Sequence, residues 1–338
     1  MQTEKKQLLI YVIVAYGITY VQGLLMWYGY GKDIDLSAFP KAQMLYPAAG
    51  VMMAYLITKK EDKNLPKTFY IFFVALTAVL VVCTAASVLA PKNIDLMGTM
   101  FSQWGLILEC IMIGGSVIFW LLLLASGNEK CRVYGLNSGH WNISVLMILL
   151  FIGLYLLRFL IASAFRGRLS EFGKIIANPA TWSMFFTVLM NFFISVVAFF
   201  GEEYGWRYYL QPLLQKKFGL KGGVILLGCV WAVWHLPIDF FYYTTPDMGL
   251  TALASQFVTC ISLGIFMAYT YMKTQNIWVP IIIHFLNNNM VVVFSGTYSA
   301  DVLQNQQIHW GDIPVALVIN LLLFGWVIFL KSFKEKKE

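Results

Sequence analysis

The stretch "TWSMFFTVLMNFFISVVAFFGEEYGWRYYLQP", residues 181–212, begins with about twenty uncharged residues and then places two glutamates and an arginine within six positions. An apolar run of that length is what a helix needs to cross a bilayer. The rest of the chain repeats the pattern. Of its 338 residues, 59% are hydrophobic and only 12% charged, and mean hydropathy is +0.69. A soluble chain of this size buries a large core without such a bias, so the composition indicates a polytopic membrane protein. Hydrocarbon offers no partner to an open backbone group, which makes helices the default for these runs. The predicted fold class is therefore all-α, a polytopic transmembrane helical bundle.

About ten apolar segments are long enough, or nearly so, to span. They lie near 8–30, 42–58, 68–90, 104–125, 141–165, 180–201, 222–238, 250–272, 277–295 and 313–331. The first follows Lys5 and Lys6 without a clear small-residue cleavage site and reads as a retained helix. Basic residues bias the connections. With the N-terminus inside, the inner side carries Lys59, Lys60, Lys63, Lys67, Lys130, Arg132, Lys216, Lys217, Lys221 and Lys273, and the tail adds Lys331, Lys334, Lys336 and Lys337. The outer side carries fewer, with a dissenting cluster at Arg166, Arg168 and Lys174. This asymmetry predicts both termini in the cytoplasm. The net charge of +7 then reflects orientation and not nucleic-acid binding. The five cysteines are scattered without a C-x-x-C, as small apolar residues are.

Polar signatures concentrate after residue 178. The first is Glu202-Glu203-x-x-x-Arg207. Glu203 and Arg207 are i,i+4 on a helix, with the acid favourably N-terminal. Glu202 points about 100° away and lacks a local counter-ion, a setting that suits a general acid or base. The second is "WAVWHLPID", 231–239, in which Trp231 and His235 share a face before Pro237 disturbs the helix. The third is "HFLNNNM", 284–290, in which His284 and Asn288 project together and can donate to one oxyanion. Asn287 and Asn289 face elsewhere. Each signature alone has a plain structural reading, as a charged helix end or interhelical hydrogen bonds. Together they supply a general base, a water-orienting histidine and oxyanion donors, a set that supports water attack on an amide. H-E-x-x-H, G-x-S-x-G and a pair of intramembrane aspartates are all missing. Zinc on the two histidines and Glu202 is a minority arrangement, because Asn288 is a poor zinc ligand.

In order and spacing, E-E-x-x-x-R, aromatic-x-x-x-H and H-x-x-x-N resemble the CAAX-protease and bacteriocin-processing (CPBP, or Abi) family, the type II CAAX prenyl endopeptidases. "EEYGWRYYLQPLLQKKFG", 202–219, is similar to its first motif and the residues directly after that motif. The likeness covers roughly 180–295. It implies a glutamate-type intramembrane peptidase without a cofactor. Glu202 would activate water with His235, His284 and Asn288 would form the oxyanion hole, and Glu203, Arg207 and Trp231 would support the site. Trp231 stands where the family more often has Phe, which keeps an aromatic wall. The expected organisation is N-terminal accessory helices over 1–178, a catalytic core over 179–298, and a polar loop, last helix and basic tail over 299–338. Expected partners are membrane lipid, a peptide or membrane-protein substrate, and a protein docking on the N-terminal helices. The expected setting is the plasma membrane, with the site open to the cytoplasm and its helix running on past 202.

Two other functions fit less of the sequence. A non-proteolytic scaffold or immunity factor could use the same fold. A transporter is suggested by Glu109 and Arg158, which the expected topology puts near one face on adjacent spans, where they could pair.

Overall fold

The computed structural model describes residues 2–96, 98–296, 298 and 300–334, with the backbone alone at 96, 300 and 301. Lys336 and Lys337 of the basic tail and Ser299 of the polar loop lie outside the described residues. Helix accounts for 81% of the structure, so the all-α expectation holds. The main helices are α1 (Gln2–Tyr30), α2 (Tyr46–Thr58), α3 (Lys67–Leu89), α4 (Gln103–Ala125), α5 (Trp141–Phe165), α6 (Pro179–Glu203), α7 (Gln211–Trp234), α8 (Gly249–Thr274), α9 (Trp278–Phe294) and α10 (Asp312–Leu323). Among the described residues the only sheet is an antiparallel hairpin pairing Asn93–Leu96 with Thr99–Ser102, its turn closed by Gly98 N–H donating to Asp95 Oδ1. The sequence reading had that stretch as plain loop.

Among the described residues six helical runs are long and apolar enough to cross a membrane, and α9 and α10 are shorter apolar helices. Leu121, Leu124, Phe186 and Met190 on these runs are exposed, as side chains facing lipid are. The chain is an integral membrane protein. The segments expected at 180–201 and 222–238 belong to one helical run, Pro179–Trp234. Within it Tyr204–Leu210 winds as a π-helix, and Gly219 (φ 74°, ψ 166°) breaks α7. A side chain pays steric strain at such a positive φ, and glycine escapes it. The segment expected at 313–331 is helical only to Leu323 and continues as a 3₁₀ turn, Gly325–Phe329.

The chain forms two compact units, Met1–Asn137 with Phe193–Tyr209, and Ser138–Phe192 with Leu210–Glu338. This division by compactness differs in kind from the motif-based segments 1–178, 179–298 and 299–338. In the first unit α2 packs on α1 and α3, and α3 on α4. Its core is aromatic: Phe119 meets Phe69 at 5.0 Å and Phe200 at 4.8 Å, centroid to centroid, and Phe73 meets Phe200 at 5.5 Å. In the second unit α8 is central, touching α5, α7, α9 and α10.

Candidate active site

Glu202 and Glu203 end α6 inside the first unit, where close backbone contact fixes them. Gly201 and Gly205 are one helical turn apart and face the chain at 44–47. A Cβ on Gly201 would lie 2.4 Å from the Met44 carbonyl oxygen, and one on Gly205 would lie 2.3 Å from the Pro47 side chain. Small residues four apart allow this approach, as in helix pairs within membranes. Tyr204 adds a polar tie, with its hydroxyl 2.6 Å from that of Tyr70 and 2.8 Å from the Tyr134 carbonyl.

The expected Glu203–Arg207 pair forms, with Nε 3.1 Å from Oε2 and both side chains fully buried. Removing one member of such a pair strands the other charge in a low dielectric, which costs about 3–5 kcal/mol. Glu202 is also buried, and its Oε2 accepts from the Trp206 indole N–H at 3.2 Å. The sequence reading gave Glu202 no local partner and missed this donor, although Trp206 stands at i+4. The expectation that helix continues through this stretch is met by α6, the π-helical Tyr204–Leu210 and α7.

The other signature residues lie in the second unit and share one cavity of about 280 Å³, lined among others by Trp231, His235, His284 and Asn288. His235 follows the last residue of α7. Its backbone N–H bonds the Ala232 carbonyl three residues back, a tight turn just ahead of Pro237. The Trp231 carbonyl meets the His235 ring at Nδ1, 2.9 Å away. A carbonyl only accepts, so the ring proton sits on Nδ1 and the Nε2 lone pair stays available as an acceptor. Trp231 walls both histidines, with its ring 5.9 Å from His235 and 5.4 Å from His284.

His284 and Asn288 lie one turn apart on α9 and bond each other, Asn288 Nδ2 to His284 Nε2 at 3.3 Å. Asn276 sets the start of α9. Its Oδ1 accepts from Trp278 N–H at 3.0 Å, and its Nδ2 donates to the Gly139 carbonyl at 3.0 Å and reaches Ser144 Oγ at 3.2 Å. The structure thus brings Trp231, His235, His284 and Asn288 together in one unit, and Glu202, Glu203 and Arg207 together in the other.

Three features depart from the sequence reading. Asn287 does not face away: it lines the cavity and donates to Asn288 Oδ1 at 3.1 Å. Its neighbour Asn289 does turn to backbone, donating to the Phe285 carbonyl. Asp239 also lines the cavity, buried, with no hydrogen bond to its Oδ2 among the described residues. Its position four residues after His235 was the available signal. Finally, the suggested Glu109–Arg158 pair is replaced. Glu109 pairs with Lys41, and Arg158 reaches the amide oxygens of Asn287 and Asn320. Lys41 lies on a short helix, Ala38–Gln43, where the sequence suggested an outer loop leading into the span at 42–58, so its reach was not visible. Among the described residues no group of three or more His, Cys, Asp or Glu is placed to hold a metal.

Residues 179–290, a stretch that contains all four expected catalytic residues, match the family described as type II CAAX prenyl endopeptidase, Rce1-like. A relative of similar sequence is CAAX prenyl protease 2 of Methanococcus maripaludis, 27% identical over 183 residues. That match covers 51% of this chain and 66% of the relative, a little under two thirds of its length. No solved structure matches the chain. The three motifs stand in order inside the matched stretch, so residues 179–290 are similar in sequence to the type II CAAX prenyl endopeptidases, Rce1-like.

Proposed function

We propose that the protein is an intramembrane endopeptidase that hydrolyses a peptide bond of a membrane-associated or lipidated protein or peptide. The observation that carries this reading is the single cavity gathering His235, His284 and Asn288. Glu202 takes a proton from the attacking water, and His235, with its ring proton on Nδ1, holds that water through Nε2. The new C–O bond forms as the carbonyl electrons move onto oxygen, and the oxyanion is held by Asn288 and His284. Collapse re-forms the carbonyl and expels the amine, which takes up the proton held by Glu202. Glu203 and Arg207 hold Glu202 in place from the same helical stretch, and Trp231 keeps the cavity wall aromatic.

The family and the name of the archaeal relative support a prenylated substrate, one whose cysteine near the C-terminus carries the lipid. No metal takes part in this mechanism, and membrane lipid surrounds the reaction. The N-terminal helices offer docking area for a partner protein. The lysine and arginine distribution supports cytoplasmic termini; the proposed setting is the plasma membrane, with the site opening on the cytoplasmic side.

The test is Glu202→Gln in full-length protein, assayed on an S-farnesylated peptide and by comparative terminal proteomics of cells. Loss of a positioned general base lowers kcat about 10²–10⁴-fold. Undiminished cleavage by folded Glu202→Gln protein would sink the mechanism. A cellular phenotype retained by Glu202→Gln and abolished by surface changes in the N-terminal helices would favour a scaffold instead.

A further inference from the structure

Arg158 projects from α5, outside the matched residues 179–290, and lines the cavity that holds His284 and Asn288. It makes no ion pair among the described residues. Its guanidinium lies 4.5 Å from the Tyr155 ring centroid, and its two terminal nitrogens each stand 3.4 Å from an amide oxygen, of Asn320 and Asn287. The orientation of Asn320 is fixed independently. Its Nδ2 donates to the Ala316 carbonyl at 2.8 Å, and a carbonyl only accepts, so Oδ1 faces the arginine.

Guanidinium has no acceptor, so Asn287 must also turn Oδ1 toward Arg158. Its Nδ2 then donates to Asn288 Oδ1 at 3.1 Å, and Asn288 Nδ2 donates to His284 Nε2 at 3.3 Å. Each bond sets the direction of the next. Flipping Asn288 so that it accepts from His284 would point its NH₂ at that of Asn287, and flipping Asn287 in turn would point its NH₂ at Arg158. The donor-only arginine forbids that arrangement. His284 therefore carries its proton on Nδ1, and Asn288 keeps its second amide N–H for another acceptor.

We infer that Arg158 is a positioning residue: acting through Asn287, it fixes the amide orientation of Asn288 and the tautomer of His284. The catalytic consequence rests on the function proposed above, in which the second N–H of Asn288 meets the oxyanion. The tautomer itself rests on hydrogen bonding alone.

The experiment compares full-length wild type, Arg158→Lys, Arg158→Gln and Asn287→Ala in lipid nanodiscs. Lysine, like arginine, can only donate, whereas glutamine can present either end of its amide. With ¹⁵N-labelled histidine, His284 should be in the Nδ1–H form in wild type and Arg158→Lys. It should gain Nε2–H character in Arg158→Gln and Asn287→Ala. On an S-farnesylated peptide, Arg158→Lys should hold kcat within about threefold of wild type. Arg158→Gln and Asn287→Ala should lower kcat about tenfold or more with little change in KM, as misdirected donors do. Three results would overturn the inference: an unchanged His284 tautomer in both Arg158→Gln and Asn287→Ala, a KM that rises at constant kcat in Arg158→Gln, or an Arg158→Lys variant as impaired as Arg158→Gln. Wild-type protein without turnover would count against the proposed reaction, and the tautomer would then decide the relay by itself.

Discussion

Asn276 uses its side chain on both sides of one turn. The oxygen caps α9 and the nitrogen ties that cap to Gly139 and Ser144 ahead of and within α5. Asn276→Ala removes all three contacts and leaves buried groups open. A loss of about 1–3 kcal/mol in unfolding free energy is expected, read by denaturant titration in detergent, with turnover falling as α9 shifts. Outside the spans, Asp62 and Tyr134 make a second readable pair, the hydroxyl donating to the carboxylate at 2.6 Å. That bond, with a further one from Asn64 N–H, holds the Asp62 carboxyl below its ordinary range. A depressed acid stabilises the fold above the ordinary aspartate value, and its contribution is lost as pH falls through the lower, folded one. Burial first, and Asp62 second, push the Tyr134 hydroxyl up. Tyr134→Phe should move the Asp62 titration upward in NMR, so that acid unfolding begins at a higher pH than in wild type. An Asp62 titration identical in the two proteins would show that the bond is not formed in solution.

At the level of the helix, the sequence was readable where one rule dominates. Uninterrupted apolar runs gave α3, α4 and α5 within a few residues, because hydrocarbon leaves the backbone no alternative. Ends were less legible. Whether helix stops at 201 or runs on depended on tertiary contact: glutamates 202 and 203 look like a solvated terminus until Gly201 and Gly205 are seen against 44–47. That contact predicts a sharp outcome. Gly205→Ala places a methyl group against Pro47 and should destabilise the first unit by about 1–3 kcal/mol, seen as a lower thermal midpoint. Gly173→Ala, on the short helix Leu169–Ala177 where a Cβ meets nothing within 4 Å, is the matching control and should be neutral or slightly stabilising.

For the whole molecule, the sequence named the three motifs but not the relations among their side chains. The Glu203–Arg207 pair was legible because four residues on one helix decide it. The sharing of one cavity by His235 and His284 is a fact about α7 and α9 packing around α8, which no local spacing encodes. Asn287 was read as facing elsewhere, because its place in the cavity depends on the same packing, whereas Asp239 had a local signal in its spacing from His235 that Pro237 obscured. Removing metal tests the proposed chemistry at this scale. Dialysis against EDTA and 1,10-phenanthroline should leave cleavage of a farnesylated peptide unchanged. Loss of activity restored by zinc would instead favour the arrangement in which the histidines and Glu202 are ligands.

The amide cradle of Arg158 also has a consequence in time. Its partners Asn287 and Asn320 lie 129 and 162 residues further along the chain. At ribosomal speeds of about 5–20 residues per second, α5 emerges roughly ten seconds before either amide exists. During that interval an arginine enters the insertion machinery without these amides, at a cost below the figure of about 2.5–3.5 kcal/mol for a central position, because it lies in the last third of α5. The apolar residues around it must carry the helix into the bilayer unaided. Nascent chains cut before residue 287 should therefore insert α5 less completely than chains cut after 320, and Arg158→Leu should abolish that difference.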